Sequence, residues 1–158
     1  MTTILAIPGS WRSGSYNLAL ARAAQALAPA GCTVELASIA AIPVYDGDNE
    51  AAQGVPVPVA ELKDRIAAAD ALLLVTPEYN NSVPGPLKNA IDWLSRPASD
   101  LARVFGDKPT GLIGASPGPG GTRLAQVAWL PVLRLLGTRP WFGKSVYLAD
   151  AGKAFDAE

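Results

Sequence analysis

ALLLVTPEYNNSVPGPLKNAIDWL, residues 71–94, holds three kinds of chain in succession. Ala71–Val75 has no polar side chain, the pattern of a strand covered on both faces. Leu87–Leu94 repeats its apolar residues at helical spacing. Between them a carboxylate, a tyrosine, two asparagines and a serine are crowded among prolines. A buried strand that runs into a stiff polar loop and then a helix is half of a strand–helix–strand unit.

The same order recurs on both sides of this stretch. Ile4–Ile7 is a compact apolar run ending at Pro8-Gly9, followed by a helical pattern over Tyr16–Ala28 with Leu20, Ala24 and Leu27 on one face. Thr33–Leu36 reads as a second strand, and Val59–Ala69 as a helix with Val59, Leu62, Ile66 and Ala69 aligned. Thr110–Ala115 predicts a fourth strand, Thr122–Leu136 a helix and Trp141–Tyr147 a fifth strand. Five strands alternating with helices predict one α/β domain over residues 1–158, a parallel sheet with helices on both faces. Ile42–Pro58, with three prolines and two glycines, reads as a long ordered loop. Pro131 predicts that the Thr122–Leu136 helix starts late or bends around Trp129, because an interior proline removes a hydrogen bond.

Composition removes several function classes. Only 17% of the residues are charged and the net charge is −1, which provides no electrostatic footprint for nucleic acid or an anionic membrane. The apolar runs fall far short of the roughly 20 residues of a membrane span. No basic segment precedes an apolar one at the N-terminus, so the expectation is a cytoplasmic protein without a signal peptide. There is no histidine, and Cys32 is the only cysteine. That excludes Ser-His-Asp and Cys-His catalysis and makes a transition-metal site improbable. Chemistry is left to carboxylates, hydroxyls, arginines and lysines, or to a bound cofactor.

In parallel sheets of this kind ligands sit beyond the carboxyl ends of the strands. The loops there are PGSWRSGSYN (8–17), TPEYNNSVPG (76–85) and ASPGPGGT (115–122), the loops richest in Gly, Ser, Asn and Pro. The first joins a strand to a helix N-terminus and carries Ser10, Arg12, Ser13, Ser15 and Asn17. Free N–H groups, hydroxyls and a guanidinium there suit a phosphate. Gly9 and Gly14 have the spacing of a P-loop, but Ser15 stands where that motif needs lysine, so a phosphate monoester fits better than a nucleoside triphosphate. The alternative is that Ser15 caps the helix and Arg12 points to solvent. In the third loop Arg123 replaces the last glycine of a dinucleotide fingerprint. Its small residues suit the close approach of something flat, or else form a plain turn.

Taken together, GSWRSGSYN, PEYNNSVPGPLKNAIDW and SPGPGGTR, in this order and spacing, resemble the NAD(P)H-dependent FMN reductase family, which includes quinone, azo-dye and chromate reductases. The resemblance implies a flavodoxin-like doubly wound sheet of five strands in the order 2-1-3-4-5, FMN as cofactor and NAD(P)H as co-substrate. It implies that Ser10, Arg12, Ser15, Tyr16 and Asn17 hold the ribityl phosphate. Pro77, Glu78, Tyr79, Asn80, Asn81 and Ser82 would lie along the isoalloxazine, with Ser116, Gly118, Gly120 and Gly121 approaching it from the other side. No side chain is implied as a catalytic acid or base, and Glu78 has an interface or capping contact as its alternative. Small electron acceptors and ping-pong turnover follow from the same resemblance, as does a homodimer or dimer of dimers. Its contact would run through the helix after PEYN, with Trp93, Leu94 and Arg96, and Tyr79 nearby. Trp93 could equally be core, while Leu87, Ile91 and Leu94 are expected to be core. Two other readings are an electron carrier of the flavodoxin type, which the weak net charge disfavours, and an FMN-binding sensor with little turnover. Family members continue into one more helix after the fifth strand. Here the sequence reads AGKAFDAE at that point, which leaves two readings: one sheet face is less covered, or a longer tail follows this stretch.

Overall fold

In the computed structural model, which describes residues 1–155, the apolar runs form a single parallel sheet. The strands are β1 (Thr2–Pro8), β2 (Cys32–Leu36), β3 (Ala71–Val75), β4 (Pro109–Ala115), β5 (Arg139–Pro140) and β6 (Val146–Leu148). Their order is β2-β1-β3-β4-β5, with β6 also paired to β4. The expected 2-1-3-4-5 order is therefore the observed one. Alternation along each strand sends Leu5, Ile7, Leu72 and Leu74 to one face. There they pack with α3 (Val57–Ala68), α4 (Gly85–Leu94) and α6 (Arg123–Leu135) into the main core, together with Trp93, Phe105 and Trp129. The opposite face is crossed by α1 (Tyr16–Ala26). Among the described residues α1 is the only helix on that face, and Ile4, Leu73 and Ile113 beneath it stay half-buried. Asp156–Glu158, the end of the AGKAFDAE stretch, lie outside the described residues.

Three expectations are corrected. Ile42–Pro58 is not all loop: α2 (Gly47–Gln53) forms inside it. Asp46 starts that helix by accepting from the backbone N–H of Asp48 at 2.9 Å, a cap masked in the sequence by the surrounding prolines and glycines. The fifth strand is not continuous over Trp141–Tyr147. It splits into β5, opposite Pro109 and Thr110, and β6, opposite Ile113 to Ala115. The segment between leaves the sheet, with Gly143 folded against the Trp141 indole, which a Cβ there would push aside. Trp141 and Phe142 are left 61% and 69% exposed. Finally, α6 does not start late: it begins at Arg123 and continues through Pro131. Pro131 is on the solvent side, and so is Val127, whose carbonyl loses its helical partner and can be hydrated instead.

The remaining helices lock the core side. Trp93 is buried at 2% exposure, packs edge-to-face on Tyr45 at 4.9 Å, and donates its indole N–H to the Pro43 carbonyl at 3.0 Å. Leu94 is fully buried and Arg96 pairs with Glu50. None of the first two can serve an intermolecular contact, so that part of the expected dimer surface is corrected: the α4 period that places Leu87 and Ile91 in the core carries Leu94 with them, and Trp93 fills the gap beside Tyr45. Short α5 (Leu101–Val104) follows and contributes buried Val104.

Candidate active site

The loops after β1, β3 and β4 meet above the carboxyl edge of the sheet. Gly9 leaves β1 and donates its N–H to the Val75 carbonyl at 2.9 Å, so the first loop starts against the β3 loop. Ser15 caps α1: its hydroxyl accepts the Leu18 N–H at 3.2 Å and donates to the Ser10 carbonyl at 3.1 Å. The hydroxyl that suited a phosphate is thus engaged in shaping the loop around it. Asn17 is buried and committed to the Ala115 backbone, which ties α1 to the end of β4. Arg12 is exposed, donates to the Ser13 carbonyl at 3.1 Å, and lies 5.9 Å over the Tyr16 ring. It forms no ion pair among the described residues. The backbone N–H groups of Arg12, Ser13 and Gly14 find no acceptor among the described residues either. An uncapped run of amides, a helix N-terminus without an acidic residue in its first turn and a free guanidinium converge on one spot.

The PEYN loop is a two-residue hairpin. Tyr79 and Ser82 exchange backbone hydrogen bonds at 3.2 and 3.0 Å, and Asn80 and Asn81 both have positive φ, 50° and 59°. This is the turn whose twist suits a tight hairpin, and asparagine tolerates it better than most residues. Thr76 anchors the base of the loop. Its buried hydroxyl donates to the Pro77 carbonyl at 2.8 Å and accepts from the Trp129 indole at 3.0 Å. The Glu78 carboxylate accepts the Ala125 N–H at 3.0 Å. It serves the first turn of α6, which Thr122 leaves without a side-chain cap. The capping alternative for Glu78 is therefore the one realised.

The loop after β4 is held by β6. Gly121 has φ +61°, and a Cβ there would lie 2.7 Å from the Tyr147 carbonyl oxygen, so only glycine fits. Ser116 donates its N–H to Leu148 at 2.9 Å, and its hydroxyl accepts from Gly118 N–H at 3.2 Å.

These loops enclose two neighbouring clefts. A narrow one of about 70 Å³ runs between Ser10, Arg12, Ser15, Tyr16, Asn17 and Pro77–Tyr79 on one side and Ala115–Pro117 on the other. Glu78 and Ser116 also line a wider neighbouring cleft of about 750 Å³, together with Asn80, Asn81, Gly118–Gly121, Arg123 and Leu124. Of the residues singled out in the sequence for these loops, all but Ser13 and Ser82 line one of the two. Ser82 instead closes the hairpin. Arg123 and Leu124 went unread as site residues; their place directly after the SPGPGGT loop was the signal available.

The sequence profile for NADPH-dependent FMN reductases matches residues 2–153. The chain belongs to that family. It is an oxidoreductase, with FMN as cofactor and NAD(P)H as co-substrate. An NAD(P)H-dependent FMN reductase of Pseudomonas aeruginosa is 46% identical over 155 residues, 98% of this chain and 82% of that protein. A 2-hydroxy-1,4-benzoquinone reductase of a Burkholderia species is 44% identical over 123 residues, 78% of this chain and 65% of that one. Among solved structures, the flavoenzyme NAD(P)H:(acceptor) oxidoreductase FerB of Paracoccus denitrificans superposes with a TM-score of 0.85 at 38% identity, over 94% of this chain and 79% of that one.

The chain's own residues fit the family's cofactor. A terminal monophosphate suits the amides and guanidinium of residues 12–14, a thin polyol suits the narrow cleft, and a flat ring suits the wide one between the Asn80-Asn81 turn and the Gly-Pro loop. No helix among the described residues is long and apolar enough to cross a membrane.

Proposed function

We propose that this chain transfers reducing equivalents from NAD(P)H to small acceptors, quinones first, with flavins, azo dyes and chromate as further candidates. The observation that carries the reading is a pair of neighbouring clefts that share Glu78 and Ser116, with a phosphate cradle at one end and room for a flat ring at the other. FMN, when bound, supplies the hydride chemistry.

The protein's part is placement. Arg12 and the amides before α1 hold the phosphate, so Ser10, Ser15 and Tyr16 line the path from it. The hairpin at Pro77–Ser82 and the loop Ser116–Gly121 orient the ring and keep water from its buried edge. The Glu78 carboxylate, fixed on Ala125, positions the α6 N-terminus rather than moving a proton. Donor and acceptor use the same face of the ring in turn, and ping-pong kinetics follow.

We place the chain in the cytoplasm and expect a homodimer or a dimer of dimers. The association is supported by an apolar groove of about 670 Å³ beside the first loop, walled by Trp11, Ile42, Val44, Tyr79 and Pro86, where Val44 is 84% exposed. A second copy seated there would cover apolar surface next to the site. Light scattering at micromolar concentration tests this, and a monomer would refute it.

The functional reading is tested by the absorption spectrum of the purified protein, followed by anaerobic addition of NADH and NADPH and then a quinone. A bound flavin bleached by either nucleotide and restored by the quinone is the expected result. A chain that retains FAD as tightly as FMN, or whose flavin is not reduced by either nucleotide, would overturn it.

A further inference from the structure

We infer that Arg123 is the residue that receives the phosphates of the reduced pyridine dinucleotide. The inference rests on the proposed placement of the flat ring in the wide cleft. Among the residues lining that cleft Arg123 is the only cation. The one carboxylate there, Glu78, accepts the Ala125 N–H and forms no ion pair with the guanidinium. Arg123 forms no ion pair among the described residues. It is held in place by the ring of Tyr147, 5.6 Å from its guanidinium carbon, and Tyr147 is itself fixed in β6 opposite Gly114. A stacked guanidinium keeps its edge N–H donors free for a bidentate contact with phosphate.

The two arginines of the site divide its anions. Arg12 stands at the narrow end, where the cofactor phosphate belongs. Arg123 stands at the wide end, on the first residue of α6, where a nicotinamide stacked on the ring must send its pyrophosphate out. An acidic group on an acceptor would meet the same guanidinium, so the test separates the two sources.

The test uses FMN-loaded Arg123→Gln and Arg123→Lys with NADH, NADPH, neutral benzoquinone and a sulfonated quinone. Binding of ADP-ribose to the oxidised holoprotein is measured by calorimetry as a readout independent of turnover. The expected result for Arg123→Gln is about a tenfold or greater rise in the KM for both nucleotides. ADP-ribose should bind correspondingly more weakly, and the salt dependence of nucleotide kcat/KM should flatten. Lysine should restore part of the affinity, because it keeps the charge but not the fork. KM for neutral benzoquinone and affinity for FMN should hold, and the circular dichroism spectrum reports the fold. Unchanged nucleotide KM and ADP-ribose binding would overturn the inference. So would a rise confined to the sulfonated quinone, which would assign Arg123 to the acceptor. FMN retention and hydride oxidation by the wild type report separately on the functional reading.

Discussion

Asn17 and Ala115 share two hydrogen bonds across the top of the sheet. The Asn17 amide donates to the Ala115 carbonyl at 2.8 Å, and its oxygen accepts the Ala115 N–H at 3.0 Å. The two residues belong to β4 and to α1, the helix that follows β1, and β3 lies between those two strands in the sheet order. One side chain therefore sets the distance between the phosphate loop and the Gly-Pro loop. Asn17→Ala leaves both backbone groups of Ala115 without this partner, at about 1–3 kcal/mol for each that stays dry. The expected outcome is a lowered urea midpoint together with weaker FMN binding. A variant with wild-type stability would show that water replaces the amide without loss.

Arg12→Ala should weaken FMN binding while leaving the fold intact. A charge-assisted hydrogen bond contributes about 1.5–3 kcal/mol, which is roughly a tenfold to more than a hundredfold loss of affinity. The fold should survive because Arg12 is exposed and donates only to its neighbour's carbonyl. Fluorescence titration of the apoprotein with FMN reads this directly, and unchanged affinity would place the guanidinium in solvent.

The Asn80-Asn81 turn makes a stereochemical prediction. Both residues occupy the left-handed region, which costs a β-branched residue about 1–2 kcal/mol. Asn81→Val should therefore lower stability by about that amount and loosen the hairpin, whereas Asn81→Gly should be neutral or mildly stabilising. Equal stability for the two variants in urea would contradict the turn geometry.

Glu78 acts on the first turn of α6, so removing its acceptor should cost about 0.5–2 kcal/mol, as loss of a helix cap does. Glu78→Gln keeps an acceptor and loses the charge, and it should fall between wild type and Glu78→Ala. Thermal melts order the three; a glutamine variant as unstable as the alanine one would mean the charge carries the whole effect.

The acid side of the stability profile is set in part away from the site. Tyr45 donates its hydroxyl to Glu50 at 2.8 Å, and Arg96 adds a contact at 3.0 Å. These hold the Glu50 carboxyl below its ordinary value, the tyrosine bond being the largest cause. Asp100 is lowered likewise, chiefly by its hydrogen bond from Lys63. A carboxylate whose pKa falls on folding binds its proton less readily in the native state. Its stabilisation is complete above the unfolded-state value and is lost as pH drops through the native one. Tyr45 has the opposite sign: its raised pKa contributes below the ordinary phenol value and is lost as pH rises past the native one. Urea midpoints from about pH 3 to pH 7 should fall less steeply on acidification in Glu50→Gln than in wild type. Parallel curves would assign the acid sensitivity to other groups.

Local pattern determined much of this protein by itself. The all-apolar run Ala71–Val75, the helical period of Val59, Leu62 and Ile66, and the polar loops after the first, third and fourth strands follow from burial and periodicity within a few residues of chain. They locate the site because a parallel sheet gathers such loops at one edge. Tertiary structure decided the rest. Only the closed core could show that Trp93 fills a gap beside Tyr45 rather than facing a partner, since periodicity says which face is apolar but not what covers it. Only the assembled loops could show that Ser15, Asn17 and Glu78, alike as polar site residues in the sequence, have their side chains engaged in a cap, a clamp and a helix N-terminus. Hydrogen bonds such as Asn17 to Ala115 join residues 98 positions apart. Chain separation of that size leaves no local signal, so these partners exist only once the sheet has brought the loops together.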